Sequence, residues 1–163
     1  MFRTQQMPSL VPSLVLSVFL MASAGLPGFG QPAEVPQLRL MAITELSAGA
    51  GGHFMTTASI NGQDIQVLVD TGATAVALSY EDAESAGLKP HGLDYSVPVA
   101  TANGMAKAAK VKLRYVQIDS VKVRDVEGLV LPQGAIQGTL LGMSFLNRLK
   151  SFGVEDGKLT LKN

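Results

Sequence analysis

Hydrophobic and polar positions divide the chain into two regimes. Leu10 to Ala24 is an uncharged stretch dominated by Leu, Val, Ser, Met and Ala, with Arg3 the last charge before it and Glu34 the first after it. From Phe54 onward the pattern becomes alternation, the period-two signature of half-buried strands. Phe54, Thr56, Ala58 and Ile60 fall on one face of the first such segment, and Met55, Thr57 and Ser59 on the other. Asn61-Gly62 follows, a pair that favours the tight turn of a β-hairpin. On the return strand Ile65, Val67 and Val69 share one face, and Gln66, Leu68 and Asp70 share the other. A carboxylate thus arrives at the end of an apolar strand, with Thr71 and Gly72 directly behind it.

The same reading extends along the rest of the chain. Ala75 to Leu78 predicts a short buried strand. Ser79, with Asp82 three positions on, predicts a capped helix start, closed by Gly87 and facing inward through Ala83 and Ala86. Lys89 to Gly92 reads as loop. Val97 to Thr101 predicts a strand, Ala102-Asn103-Gly104 a turn, and Met105 to Val116 a long returning strand. There Lys110, Lys112 and Arg114 alternate with Val111, Leu113 and Tyr115. Such a basic stripe is the wet face of a hairpin and discourages edge pairing; the functional alternative is a polyanion contact. Ile118 to Val126 and Gly128 to Leu131 predict two more strands. Ile136 to Leu141 predicts an apolar strand ending in Leu140-Leu141-Gly142, followed by a short helix, Met143 to Leu149, turned inward through Phe145, Leu146 and Leu149. Asp156-Gly157 joins Phe152–Glu155 to Lys158–Leu161 as a last hairpin. Strands joined by short turns, without alternating helices, predict an all-β domain. Met41, Met55, Met105 and Met143 are dispersed and read as core or edge residues.

The uncharged N-terminal stretch changes the domain picture. A basic start, an apolar run and the small residues Ala22-Ser23-Ala24 match a secretory signal peptide over residues 1–24, with Gly28-Phe29-Gly30 as a second cleavage site. An uncleaved membrane anchor is the competing reading, because about 20 apolar residues span a bilayer. Pro12 and Pro27 shorten the strongest run and favour cleavage. Either way the remainder is exported, with the periplasm as the expected destination and secretion or membrane anchoring as the others. Residues 25–51 contain Pro32, Pro36 and Gly49-Ala50-Gly51-Gly52 and read as a linker with one short strand at Gln37–Ile43. The folded domain is expected over residues 52–163.

Composition narrows the chemistry. The 163 residues suffice for one domain with a real core, and 47% apolar content excludes disorder throughout. Thirteen basic residues balance thirteen acidic ones, so nothing in the charge favours a nucleic-acid partner. Loss of residues 1–24 would leave 12 basic and 13 acidic residues. With no cysteine, a disulfide, a thiolate metal site and a cysteine nucleophile are impossible. His53 and His91 stand apart from any cluster with metal-ligand spacing, so neither a metal nor another cofactor is expected. Ser144 lacks a Gly-x-Ser-x-Gly context and reads as a helix-start residue.

Asp70 remains. A single solvated carboxylate is a weak catalyst of amide hydrolysis. Two carboxylates in contact cannot both ionise and share one proton. The ionised member then takes a proton from a bridging water while the protonated member hydrogen-bonds the scissile carbonyl. The chain holds one Asp-Thr-Gly and no second Asp-Thr/Ser-Gly, so a second copy of the chain would have to supply the partner carboxylate.

Leu68-Val69-Asp70-Thr71-Gly72-Ala73-Thr74 resembles the catalytic loop of retropepsin-like aspartic proteases. Leu140-Leu141-Gly142, leading into Met143-Ser144-Phe145-Leu146, resembles the second signature of that fold. The resemblance covers residues 52–163 and is nearest to single-domain bacterial members with an N-terminal signal or anchor. It implies a single-lobe acid protease fold with one or two short helices, paired as a two-fold dimer. It implies an aspartic endopeptidase acting on polypeptide, with Asp70 as the catalytic acid of each subunit. Thr71 would lock the two loops, Gly72 would bring a backbone N–H to the carboxylates, and Ala73, Thr74 and Gly142 would support the loop. Thr101, Ala102, Asn103, Gly104 and Met105 would form the flap, with Lys107 and Lys110 beside it biasing substrate choice. The alternative is a non-catalytic module of this fold that grips an extended peptide or serves assembly.

Overall fold

Asn61 and Gly62 both adopt positive φ, 56° and 102°, and close the first hairpin as the Asn-Gly pair demands. The computed structural model describes residues 41–163; the expected signal or anchor segment and residues 25–40 of the expected linker lie outside them. The strands are β1 (Ile43–Ser47), β2 (Met55–Ile60), β3 (Gln63–Val69), β4 (Val76–Leu78), β5 (Val97–Thr101), β6 (Gly104–Ile118), β7 (Val121–Val130), β8 (Thr139–Leu141), β9 (Ser151–Glu155) and β10 (Lys158–Lys162). Two short helices interrupt them, α1 (Tyr80–Ser85) and α2 (Met143–Leu146).

Seven strands form one sheet in the order β2-β3-β8-β4-β7-β6-β5, and β2 also pairs with the far end of β6, curling the sheet on itself. A smaller antiparallel sheet has the order β1-β10-β9. Alternation translates directly into burial: Ala58, Ile60, Ile65 and Val67 are buried while Thr57 and Gln66 are exposed. Helix α1 is capped by the Ser79 hydroxyl, which accepts the Asp82 N–H at 3.1 Å, and presents Ala83 and Ala86 to the core. Phe145 and Leu146 of α2 are fully buried in the same core, each removing about 1.5–3 kcal/mol worth of apolar surface from water.

The basic stripe of β6 is consumed by neighbours. Lys110 pairs with Glu127 at 2.7 Å and Lys112 with Asp125 at 3.0 Å, while the Arg114 guanidinium donates to the Asn61 carbonyl at 2.7 Å. These cross-strand partners make the stripe the wet face of a hairpin.

The structure corrects several expectations. Ile43–Ser47, placed in the linker, is strand β1 of the domain, paired along its length with β10; of the strand expected at Gln37–Ile43, residues 37–40 lie outside the described residues, Met41 and Ala42 are not strand, and Ile43 opens β1. Its inward residues are Thr44 and Leu46, too few to mark a strand without the distant partner. The two strands expected at 118–126 and 128–131 are one, β7; β6 runs on through Ile118 and turns at Asp119, whose φ is +46°. The apolar strand expected from Ile136 shortens to Thr139–Leu141, because Gly138 stands at φ +77°. The expected helix to Leu149 ends at Leu146, although Leu149 is still buried. Pro90–Gly92, read as loop, forms one 3-10 turn. Of the methionines read as core or edge residues, Met143 packs against the core, while Met55 and Met105 are exposed, 63% and 75%.

Candidate active site

Strand β3 is held on both sides at the point where it delivers Asp70. It pairs parallel with β8, matching Val67 to Thr139, Leu68 to Leu140 and Val69 to Leu141. The Val69 N–H donates to the Phe54 carbonyl at 2.9 Å and the Asp70 N–H to that of Leu141 at 3.1 Å. The chain then turns. The Ala73 N–H reaches the Asp70 carbonyl at 3.3 Å, and Asp70 Oδ1 accepts the Gly72 N–H at 2.8 Å. That bond fixes the carboxylate against its own loop and leaves Oδ2 for another partner. Asp70 is half-buried.

The other limb of the loop is gripped by three consecutive residues. A Cβ on Gly142 would collide with the Ala75 carbonyl and lie 2.6 Å from the Ala73 carbonyl oxygen, so only glycine allows this approach. The Met143 N–H donates to the Ala73 carbonyl at 2.8 Å. The Ser144 hydroxyl accepts the Val76 N–H at 2.9 Å and donates to the Glu127 carbonyl at 2.6 Å, tying α2 to β4 and β7. From behind, the buried Thr139 hydroxyl donates to Asp82 Oδ2 at 2.7 Å and links β8 to α1. Ser144, Asp82 and Thr139 were not singled out as site residues in the sequence. The one available signal was Ser144 directly after the Gly142-Met143 helix start.

A cleft of about 900 Å³ opens beside the loop. Asp70, Gly72, Ala73 and Thr74 line one wall, Thr101, Ala102 and Asn103 another, and Ala135, Ile136 and Gln137 complete it. The β5–β6 hairpin therefore brings its tip to the cleft that holds Asp70. Its turn is organised by the Thr101 hydroxyl, which donates to the Gly104 carbonyl at 2.9 Å and accepts the Asn103 N–H at 3.2 Å. Asn103 Nδ2 reaches the Ala135 carbonyl at 3.5 Å. Gly104 and Met105 do not line the cleft, and neither do Lys107 and Lys110. Thr71 is exposed, and its hydroxyl makes no hydrogen bond among the described residues. Ile136 and Gln137, expected within a strand, are cleft wall instead. No group of three or more His, Asp or Glu residues able to hold a metal occurs among the described residues.

Comparison with known proteins identifies this arrangement. Residues 56–148 match the family described as "gag-polyprotein putative aspartyl protease". A retropepsin-like aspartic protease from Rickettsia conorii superposes with a TM-score of 0.67 at 34% identity, covering 75% of this chain and 91% of that one. The EIAV protease, solved in complex with the inhibitor HBY-793, shares the fold with a TM-score of 0.51 at 21% identity, over 63% of this chain and 93% of its own. An uncharacterized protein in the cobV 5' region of a Sinorhizobium species is 46% identical over 112 residues, 69% of this chain and 48% of that protein. The uncharacterized protein RP867 of Rickettsia prowazekii is 34% identical over 139 residues, 85% of this chain and 57% of that protein. The chain thus spans about half the length of the curated relatives it matches. By the family match, the relatives and the architecture around Asp70, the chain belongs to the retropepsin-like aspartic proteases.

Proposed function

We propose that this protein is an exported aspartic endopeptidase, active as a homodimer in which two copies of Asp70 form the catalytic dyad. The observation that carries this reading is that Asp70 is the one acidic residue lining the cleft, with Oδ1 fixed by the Gly72 N–H and Oδ2 free of intrachain hydrogen bonds among the described residues. A lone carboxylate there does little; two of them across a two-fold axis share a proton and hold a water between them. The ionised member deprotonates that water as it attacks the scissile carbonyl. The other donates its proton to the carbonyl oxygen, and the proton then passes to the leaving amine. An extended polypeptide would lie in the cleft beneath the Thr101–Asn103 tip, and no metal or cofactor takes part.

Cleavage of an unfolded protein, followed from acidic to neutral pH for the wild type and Asp70→Asn, tests this. The substitution keeps the shape of the side chain but removes the shared proton's acceptor, and should lower turnover about 10²- to 10⁴-fold or more. Equal cleavage by both proteins overturns the dyad. Peptide binding without cleavage by the wild type would instead leave a module that grips extended chains.

A further inference from the structure

The chain contains two Asn-Gly pairs, Asn61-Gly62 and Asn103-Gly104. An asparagine in such a pair can lose its side-chain amide to its own backbone, because glycine has no side chain to obstruct the ring that forms. The reaction needs the Asn Cγ to swing onto the nitrogen of the next residue. Whether it does so is decided by how each turn holds its amide.

At Asn61 both ends of the amide are held. Nδ2 donates to the Ala86 carbonyl at 3.2 Å, and Oδ1 accepts the Arg114 N–H at 2.8 Å. The Arg114 guanidinium grips the Asn61 carbonyl as well, and the Tyr115 hydroxyl stands 3.4 Å from where a Gly62 Cβ would lie. Asn61 is half-buried. The tip of the β5–β6 hairpin has no such clamp. Asn103 and Gly104 are both exposed, and a Cβ added at Gly104 meets nothing within 4 Å. Asn103 Nδ2 makes one contact among the described residues, to the Ala135 carbonyl at 3.5 Å, and Oδ1 accepts no hydrogen bond from them.

We propose that Asn103 is a site of spontaneous deamidation, and that its conversion releases the hairpin tip from the cleft. The Gly104 nitrogen gives up its proton and bonds to Asn103 Cγ. The Cγ–Nδ2 bond breaks, and Nδ2 leaves as ammonia with that proton. Water then opens the succinimide ring. Opening at Cγ leaves aspartate; opening at the main-chain carbonyl leaves isoaspartate, with the chain running on through Cγ. Either product sets a carboxylate where a neutral amide stood. A carboxylate has no hydrogen to donate, so the contact with the Ala135 carbonyl becomes a repulsion between two acceptors. Asn103 lines the cleft in which Asp70 is the one acidic side chain, so conversion also adds negative charge there. The tip thus carries a slow, one-way change, while the equivalent pair at Asn61 is protected. The effect on cleavage rests on the proposed peptidase activity; the conversion itself does not.

The test is to age the folded, full-length protein in mildly alkaline buffer and follow both pairs by peptide mass spectrometry. The Asn103 peptide should gain the mass of an amide-to-acid conversion at least about tenfold faster than the Asn61 peptide, since conversion at Asn61 waits for its turn to open. Short synthetic peptides spanning residues 58–65 and 100–107, which lack the fold, should convert at similar rates. Asn103→Gln, whose amide lies one bond further from the Gly104 nitrogen, should show almost no conversion at that position. In cleavage assays the aged wild type should acquire the several-fold higher KM of freshly prepared Asn103→Asp. Asn61 converting as fast as Asn103 in the folded protein, or outpacing it, overturns the assignment. A KM that stays put once most of Asn103 has converted overturns the effect on the cleft. Conversion at Asn103 in a protein that cleaves nothing leaves the site standing and overturns only the peptidase reading.

Discussion

Gly142 lies directly beneath Ala73, close enough that a Cβ at position 142 would stand 2.6 Å from the Ala73 carbonyl oxygen. The atoms it would meet are backbone, on the outgoing limb of the Asp70 loop, and backbone held by the Met143 N–H and the Ser144 hydroxyl cannot step aside cheaply. Gly142→Ala should cost about 1–3 kcal/mol or more in a urea titration. The same displacement moves the loop that carries Asp70, so cleavage should fall further than stability alone accounts for, even at temperatures where the variant is fully folded. A variant of wild-type stability and activity would show that the loop tolerates a different path.

The Ser144 hydroxyl serves two strands at once. Without it the Val76 N–H and the Glu127 carbonyl both lose their partner. Leaving such a part-buried donor unsatisfied costs about 1–3 kcal/mol. Ser144→Ala should lose an amount in that range, and hydrogen exchange at the Val76 amide should accelerate relative to amides in the β9–β10 hairpin. Unchanged exchange at Val76 would mean that water replaces the hydroxyl without consequence.

What local sequence encodes well is what it encodes locally. Asn61-Gly62 and Asp156-Gly157 were legible because their chemistry demands positive φ, and all four residues have it. Asp70 was legible because a carboxylate at the end of an apolar strand is unusual, whereas Gly142 was legible only through the resemblance of Leu140-Leu141-Gly142 to the second signature of the retropepsin-like fold. β1 was not, because its justification lies in β10, more than a hundred residues away, and only Thr44 and Leu46 face inward. Ser144 was placed correctly at a helix start, but the worth of its hydroxyl depends on two strands that α2 reaches only in the folded chain. The wall formed by Ala135, Ile136 and Gln137 was hidden for a similar reason. Its apolar content reads as strand, and the left-handed Gly134 and Gly138 that flank it turn it into an irregular wall.

The tip of the β5–β6 hairpin gives the last prediction. Gly104, at φ +107°, lets the chain reverse after Ala102-Asn103, and the Thr101 hydroxyl bonds to both sides of the turn. Thr101 is part-exposed and its two bonds face solvent, so removing them should hardly change global stability, within about 0.5 kcal/mol. The tip itself should lose order, because little else than the Asn103–Ala135 contact, long at 3.5 Å, holds it over the cleft. If the hairpin closes over an extended substrate, Thr101→Val should raise KM several-fold with a smaller effect on kcat, since ordering the tip then falls to the binding step. Thr101→Ser retains the hydroxyl and should restore KM. A Thr101→Val variant with unchanged KM would show that the hairpin lines the cleft without gripping what enters it.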